Sequence, residues 1–146
     1  MIRVTKEFHF EMAHALWNYD GDCKNIHGHS YRLFVTVTGN PITELKNPKL
    51  GMVIDFGDLK KIVNSAIIKR FDHALALYSQ SLDYDLTPLN QMFDKLEILD
   101  YQPTCENLVT DFAAGIIRLL PANVKLFSLR LQETDSSYSE WYASDN

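Results

Sequence analysis

The order of patterned segments predicts an α+β fold in which an antiparallel sheet carries its helices on one face. Two observations point there. Apolar residues alternate with polar ones in a pair of segments near the start of the chain and in another pair near its end. Two amphipathic helical stripes lie between those pairs, whereas a parallel βαβ arrangement would interleave single strands with helices.

The elements follow in order. Residues 2 to 14 carry Phe8, Phe10 and Met12 at alternate positions, so a half-buried strand ends with His14 on its inward face. His9 has the opposite parity and faces away. The turn-prone stretch Asn18 to Lys24 leads to a second strand with Tyr31, Leu33, Val35 and Val37 on one face and Arg32, Thr36 and Thr38 on the other. Extended backwards through Gly28, the apolar face takes in His29 and His27. Gly39, Asn40 and Pro41 close this strand, and the segment to Gly51 reads as a loop. Asp55 reads as a helix N-cap, with Asp58 in a capping-box-like position and Leu59, Ile62, Val63, Ala66 and Ile67 as the stripe of a helix from Phe56 to Arg70. Pro103 and Thr104 open a second helix, whose stripe is Leu108, Phe112, Ile116 and Leu119 and which stops near Pro121. Between the helices, residues 74 to 102 are the least regular part, read as a short helix after Thr87-Pro88 and an edge strand at Leu96 to Leu99. Val124 to Gln132 alternates as a strand, with Tyr138 to Ala143 as its hairpin partner.

The 146 residues, 46% of them hydrophobic, suffice for one domain with an ordinary core, and no repeat or linker divides them. Net charge is -5 and the 14 basic residues are scattered, which argues against nucleic acid as a partner. No stretch approaches the roughly 20 apolar residues of a membrane span. The opening MIRVTKEFHF lacks the apolar core of a secretion signal, so a cytoplasmic protein without membrane association is expected. Two distant cysteines make no disulfide framework, and each is judged by its neighbours.

His27 and His29, one residue apart on an extended backbone, point the same way, and His14 can join them by strand pairing. Three converging imidazoles predict a zinc site with an open fourth position, the pattern of catalytic rather than structural zinc. Cys23, four residues before His27, either closes that site as a fourth ligand or stands beside it as an acid or base. Cys105, in the first turn of the second helix, fits either core or pocket wall, with the wall preferred. Asp72 and His73 are neighbours past a helix end and form a candidate acid-base pair, or else a turn with a solvated charge. Glu133 either grips N–H groups of a heterocycle or is an exposed hairpin carboxylate. Glu106 in a first helical turn stabilises the helix dipole whatever else it does.

The strings F-E-M-A-H at 10–14, C-x-x-x-H-G-H at 23–29, V-I-D-F at 53–56, F-D-H at 71–73, P-T-C-E-N at 103–107 and Q-E-T at 132–134 stand in one order over nearly the whole chain. Together they resemble the 6-pyruvoyl-tetrahydropterin synthase / 6-carboxy-tetrahydropterin synthase family. The resemblance implies a T-fold (tunnelling fold) subunit, an antiparallel four-stranded sheet with two helices on one face. It further implies homo-oligomers, trimers or stacked hexamers, with active sites between subunits. By matching position, His14, His27 and His29 are the Zn2+ ligands, Cys23 the catalytic thiol, Asp72 and His73 a proton relay, and Glu133 the pterin anchor. Thr104, Cys105 and Glu106 match the lining of the pterin pocket.

The implied substrate is 7,8-dihydroneopterin triphosphate, for whose phosphates Lys24, Lys69 and Arg70 are candidate contacts. Three residues between Cys23 and the H-G-H resemble the bacterial branch that forms 6-carboxy-5,6,7,8-tetrahydropterin with release of acetaldehyde and triphosphate, in synthesis of 7-deazaguanine, the queuosine precursor. The alternatives are the pyruvoyl-forming reaction and a non-catalytic zinc- or pterin-binding module. Met12 departs from the alanine usual in the family, and residues 74 to 102 are longer than in its shortest bacterial members.

Overall fold

Strict alternation drives the two long strands together. β1 (Ile2–His14) and β2 (His27–Gly39) pair antiparallel along their whole length, from Ile2 opposite Gly39 to His14 opposite His27. In the computed structural model, which describes residues 1–83 and 85–146, this hairpin is the centre of the sheet. β5 (Val124–Gln132) pairs antiparallel with β2, with a register shift between Thr36 and Val37, and β6 (Tyr138–Tyr142) pairs antiparallel with β5.

On the other flank the expectation fails. β3 (Ala74–Tyr78) runs parallel to β1, and β4 (Leu96–Leu99) runs parallel to β3. The sheet is therefore six-stranded and mixed, in the order β4-β3-β1-β2-β5-β6, rather than four-stranded and antiparallel. The strand at Leu96–Leu99 stands where the sequence puts it, but β3 carries no alternation to read: Ala74, Leu75, Ala76 and Leu77 are all buried. A short apolar run hidden on both faces is what a parallel inner strand requires.

α1 (Phe56–Val63) continues through a π-helical turn (Asn64–Ile68) into α2 (Lys69–Phe71), matching the predicted helix to within a residue. Asp55 caps it, its carboxylate accepting from the Gly57 amide at 2.6 Å. Asp58 does not complete a capping box. Its carboxylate is engaged by Lys49 and by Lys61, and an aspartate is a methylene shorter than the glutamate such a box uses. A short helix α3 (Thr87–Met92) follows the Thr-Pro pair. α4 (Cys105–Ile117) is capped by Thr104, whose hydroxyl accepts from the Asn107 amide at 3.3 Å. Leu119, predicted on its stripe, lies past the helix end and is exposed.

Even-numbered β1 and odd-numbered β2 side chains meet both long helices in one cluster. Phe10 stacks on Tyr31 with centroids 5.0 Å apart and meets the edge of Phe112 at 6.0 Å, and Phe112 meets Phe71 at 5.1 Å. The polar end of this buried face carries His14, His27 and His29. In urea unfolding, Phe112→Ala is expected to cost about 3–5 kcal/mol, since it empties the contact between sheet and helices. Asp55→Ala should cost about 1 kcal/mol through the lost cap.

Candidate metal centre and its cavity

His14 and His27 face one another across the last pair of the β1–β2 ladder, and His29 stands two residues along β2 on the same face. Their donor atoms all lie within 4.8 Å of one another. Two of the rings are turned by the backbone. His14 Nδ1 lies 2.7 Å from the Pro103 carbonyl oxygen, and His27 Nδ1 lies 2.9 Å from that of Asn25. A carbonyl only accepts, so each Nδ1 carries the proton and each Nε2 presents a lone pair, the arrangement that orients metal-ligating histidines.

His14 Nε2 is buried and has no hydrogen-bond partner, a costly state for a core polar atom unless a ligand completes it. Burial holds the His14 and His29 imidazoles below their ordinary pKa, outweighing the nearby Glu133 carboxylate, and thus favours the neutral form that binds metal. The oriented tautomers, the orphaned nitrogen and the donor chemistry all fit a divalent metal ion.

Glu133, directly after β5, faces this cluster rather than solvent. Its Oε1 lies 3.7 Å from both His14 Nε2 and His29 Nε2, too far for hydrogen bonds, and accepts one from the Tyr31 hydroxyl at 2.8 Å. Burial, reinforced by that carboxylate, pushes the Tyr31 phenol well up, so it remains a donor. The exposed-hairpin alternative for Glu133 is thereby excluded. Tyr31 was legible only as a core residue, although a phenol two positions past His29 on the same buried face demands a polar partner.

These groups open on a cavity of about 450 Å³. Cys23, held in a 3-10 turn (Asp22–Lys24), lines it together with Thr104, Cys105 and Glu106, and with Ser137 to Ser139 of the last hairpin, which the sequence did not single out. Among the described residues the set of mutually close ligand atoms comprises the three histidines without Cys23, which favours the thiol as a neighbour of the site over a fourth ligand. Cys105 is wall: its buried thiol donates to the Leu131 carbonyl at 3.3 Å, and burial pushes its pKa up.

Asp72 and His73 are not brought to this cavity within the chain. They follow α2 at the flank of β1, where the Glu11 amide donates to Asp72 Oδ1 at 2.9 Å and the His73 amide donates to the Glu11 carbonyl at 2.6 Å. His73 adopts φ 60°, its side chain is 77% exposed, and its Nε2 lies 3.8 Å from Asp72 Oδ2, beyond hydrogen-bond range. It borders a depression formed with Glu11, Ala13, Gly28 and Ser30, whose parity puts them on the sheet face opposite the imidazoles, and lined also by Met12 and His29. Of the cations named for phosphate, Arg70 is engaged by Glu97 at 2.6 Å and Asp111 at 3.6 Å.

The family model of 6-pyruvoyl tetrahydropterin synthase matches residues 3–144. A Haemophilus influenzae protein named 6-carboxy-5,6,7,8-tetrahydropterin synthase is 35% identical over 97% of this chain and 99% of its own length. One of the same name from Rickettsia conorii is 32% identical over 96% and 99%. The fold resembles the crystal structure of 6-pyruvoyl tetrahydropterin synthase from Plasmodium vivax, with a TM-score of 0.73 at 18% identity over 96% of each chain. No helix among the described residues is long and apolar enough to cross a membrane.

Equilibrium dialysis against Zn2+ with elemental analysis is expected to find about one ion per chain. His29→Ala should weaken retention at least about tenfold, whereas Cys23→Ala should leave it unchanged. Loss of metal from the Cys23 variant would return the thiol to the ligand set.

Proposed function

The chain belongs to the 6-pyruvoyl tetrahydropterin synthase family, and from that premise we propose that it is a zinc-dependent lyase. In this reading it converts 7,8-dihydroneopterin triphosphate to 6-carboxy-5,6,7,8-tetrahydropterin with uptake of water and release of acetaldehyde and triphosphate, in 7-deazaguanine synthesis. The observation that carries it is the pairing, in one cavity, of three imidazoles, two of them with Nδ1 held by backbone carbonyls, and a carboxylate fixed by Tyr31. The carboxy-forming branch is preferred because bacterial relatives 35% and 32% identical over nearly the whole chain bear that name and because three residues separate Cys23 from His27.

His14, His27 and His29 would hold the zinc. When bound, it supplies Lewis acidity toward the side-chain oxygens of the substrate, so that a weak base suffices to remove a proton nearby. Cys23 is that base, placed on the cavity wall beside the histidines. Glu133 accepts from the N–H edge of the pterin ring, and because Tyr31 pins its Oε1 the ring is held in register with the reacting carbons. Thr104 and Glu106 bound the ring pocket, and Cys105, protonated and bonded to β5, excludes water without reacting.

Asp72 and His73, outside the metal cavity and with the His73 ring open to solvent, act as the proton relay in a cavity of a neighbouring subunit, which makes the functional form a homo-oligomer. Contact with that subunit would draw the imidazole and carboxylate into hydrogen-bond range.

Incubation with 7,8-dihydroneopterin triphosphate, followed by mass spectrometry of the pterin and an acetaldehyde assay, is expected to give the carboxy product and acetaldehyde together. A pyruvoyl product without acetaldehyde would overturn the branch assignment. Cys23→Ala and His73→Ala should each lower kcat by about 10²–10⁴-fold with zinc retained. Mixing the two inactive variants under conditions that exchange subunits should restore part of the activity, and mixtures that stay inactive would rule out sharing of the site between chains.

A further inference from the structure

Beside the metal cavity lies a second one, of about 430 Å³, bounded by Leu16, Trp17, Asn18, Tyr19, Lys24 and Ser81. Leu16 and Tyr19 line both, so the two spaces are adjacent and share those side chains as a boundary. We propose that this side cavity receives the triphosphate tail of the substrate and that Lys24 is its cationic contact. The proposal rests on the dihydroneopterin triphosphate reading above and extends it to the other end of the same molecule.

The first argument is direction. The ring end of the metal cavity is made by Glu133, Thr104 and Glu106, whereas Cys23, Leu16 and Tyr19 come from the loop that joins β1 to β2. A substrate anchored by its ring at Glu133 and reacting beside Cys23 runs on toward that loop, where the second cavity begins.

The second is charge. Lys24 is the only lysine or arginine that lines either cavity among the described residues, and it has no carboxylate within ion-pairing distance among them. Asp20 and Asp22, its acidic neighbours in the loop, line neither. In a chain of net charge -5, a polyanion needs such a local positive point, and a lysine ammonium suits phosphate oxygens. The other named candidates are poorly placed: Arg70 is held by two carboxylates, and Lys69 lines neither cavity.

The third is preorganisation. The loop is tied down by its own bonds. The Gln102 side chain accepts from the Trp17 amide at 2.9 Å and donates to the Trp17 carbonyl at 2.8 Å, and the Leu16 amide donates to the Cys23 carbonyl at 2.9 Å. The Trp17 ring meets Tyr78 edge-on at 6.2 Å. Gly21 lies so close to Tyr19 that a Cβ there would come 2.5 Å from the ring. A loop held in shape this way spends little binding free energy on ordering itself around a flexible tail.

The test is steady-state kinetics of the zinc-loaded protein with 7,8-dihydroneopterin triphosphate, using unphosphorylated 7,8-dihydroneopterin as a competitive inhibitor. Lys24→Gln is expected to raise KM about tenfold, the loss of one charge-assisted contact, with kcat within about threefold and the Ki of dihydroneopterin unchanged. It should also flatten the rise of KM with ionic strength, and Lys24→Arg should restore most of the affinity. An unchanged KM in Lys24→Gln, or KM and Ki rising together, overturns the proposal while leaving the substrate reading intact. A wild-type protein that neither turns over nor binds the triphosphate sinks that reading and this proposal with it.

Discussion

The pairing of β1 with β2 in a single unbroken register is the constraint on which the site depends. Side chains alternate along a strand with a period of two, so slipping one strand by a residue would send His27 and His29 to the face opposite His14. Thirteen aligned pairs, from Ile2–Gly39 to His14–His27, oppose that slip, because it would expose Leu33, Val35 and Val37 together. Gly28 lets the strands close at the critical place, since a Cβ there would sit 3.2 Å from the Met12 carbonyl oxygen.

From that register the rest of the site follows by adjacency. β5 pairs with β2 so that Gln132 stands opposite Arg32, which carries the next residue, Glu133, to within reach of the Tyr31 hydroxyl. Thr104 caps α4 while the preceding Pro103 carbonyl orients His14, so one helix start both lines the cavity and sets an imidazole. The apolar core thus ends in a layer of groups whose polarity is only partly satisfied by the chain itself. Stability alone would favour aliphatic residues there, and the unpartnered His14 nitrogen is the sign of another purpose.

The candidate residues also fall in two places. The imidazoles, Glu133 and Cys23 share one cavity, whereas Asp72 and His73 are built into the flank of β1 through the backbone of Glu11. The Asp72 carboxylate already serves the fold by accepting the Glu11 amide, and His73 occupies a left-handed turn between α2 and β3. The structural turn therefore accounts for the backbone and carboxylate contacts of the pair, while the His73 ring is left exposed.

Much was legible in the order of residues alone. The parity of Phe8, Phe10, Met12 and His14, and of His27, His29 and Tyr31, selects the buried face, and the caps at Asp55 and Thr104 set the starts of both long helices, because these are local properties of period and short-range hydrogen bonding. The inner strand β3 was not legible, since a segment buried on both faces has no period that distinguishes its sides. Nor did any local pattern choose between the exposed and the inward Glu133, join Tyr31 to it, leave Cys23 out of the close histidine cluster, or keep Asp72 and His73 out of its cavity. Those outcomes depend on which distant segments pair, and only the assembled sheet brings residues a hundred positions apart within hydrogen-bonding distance.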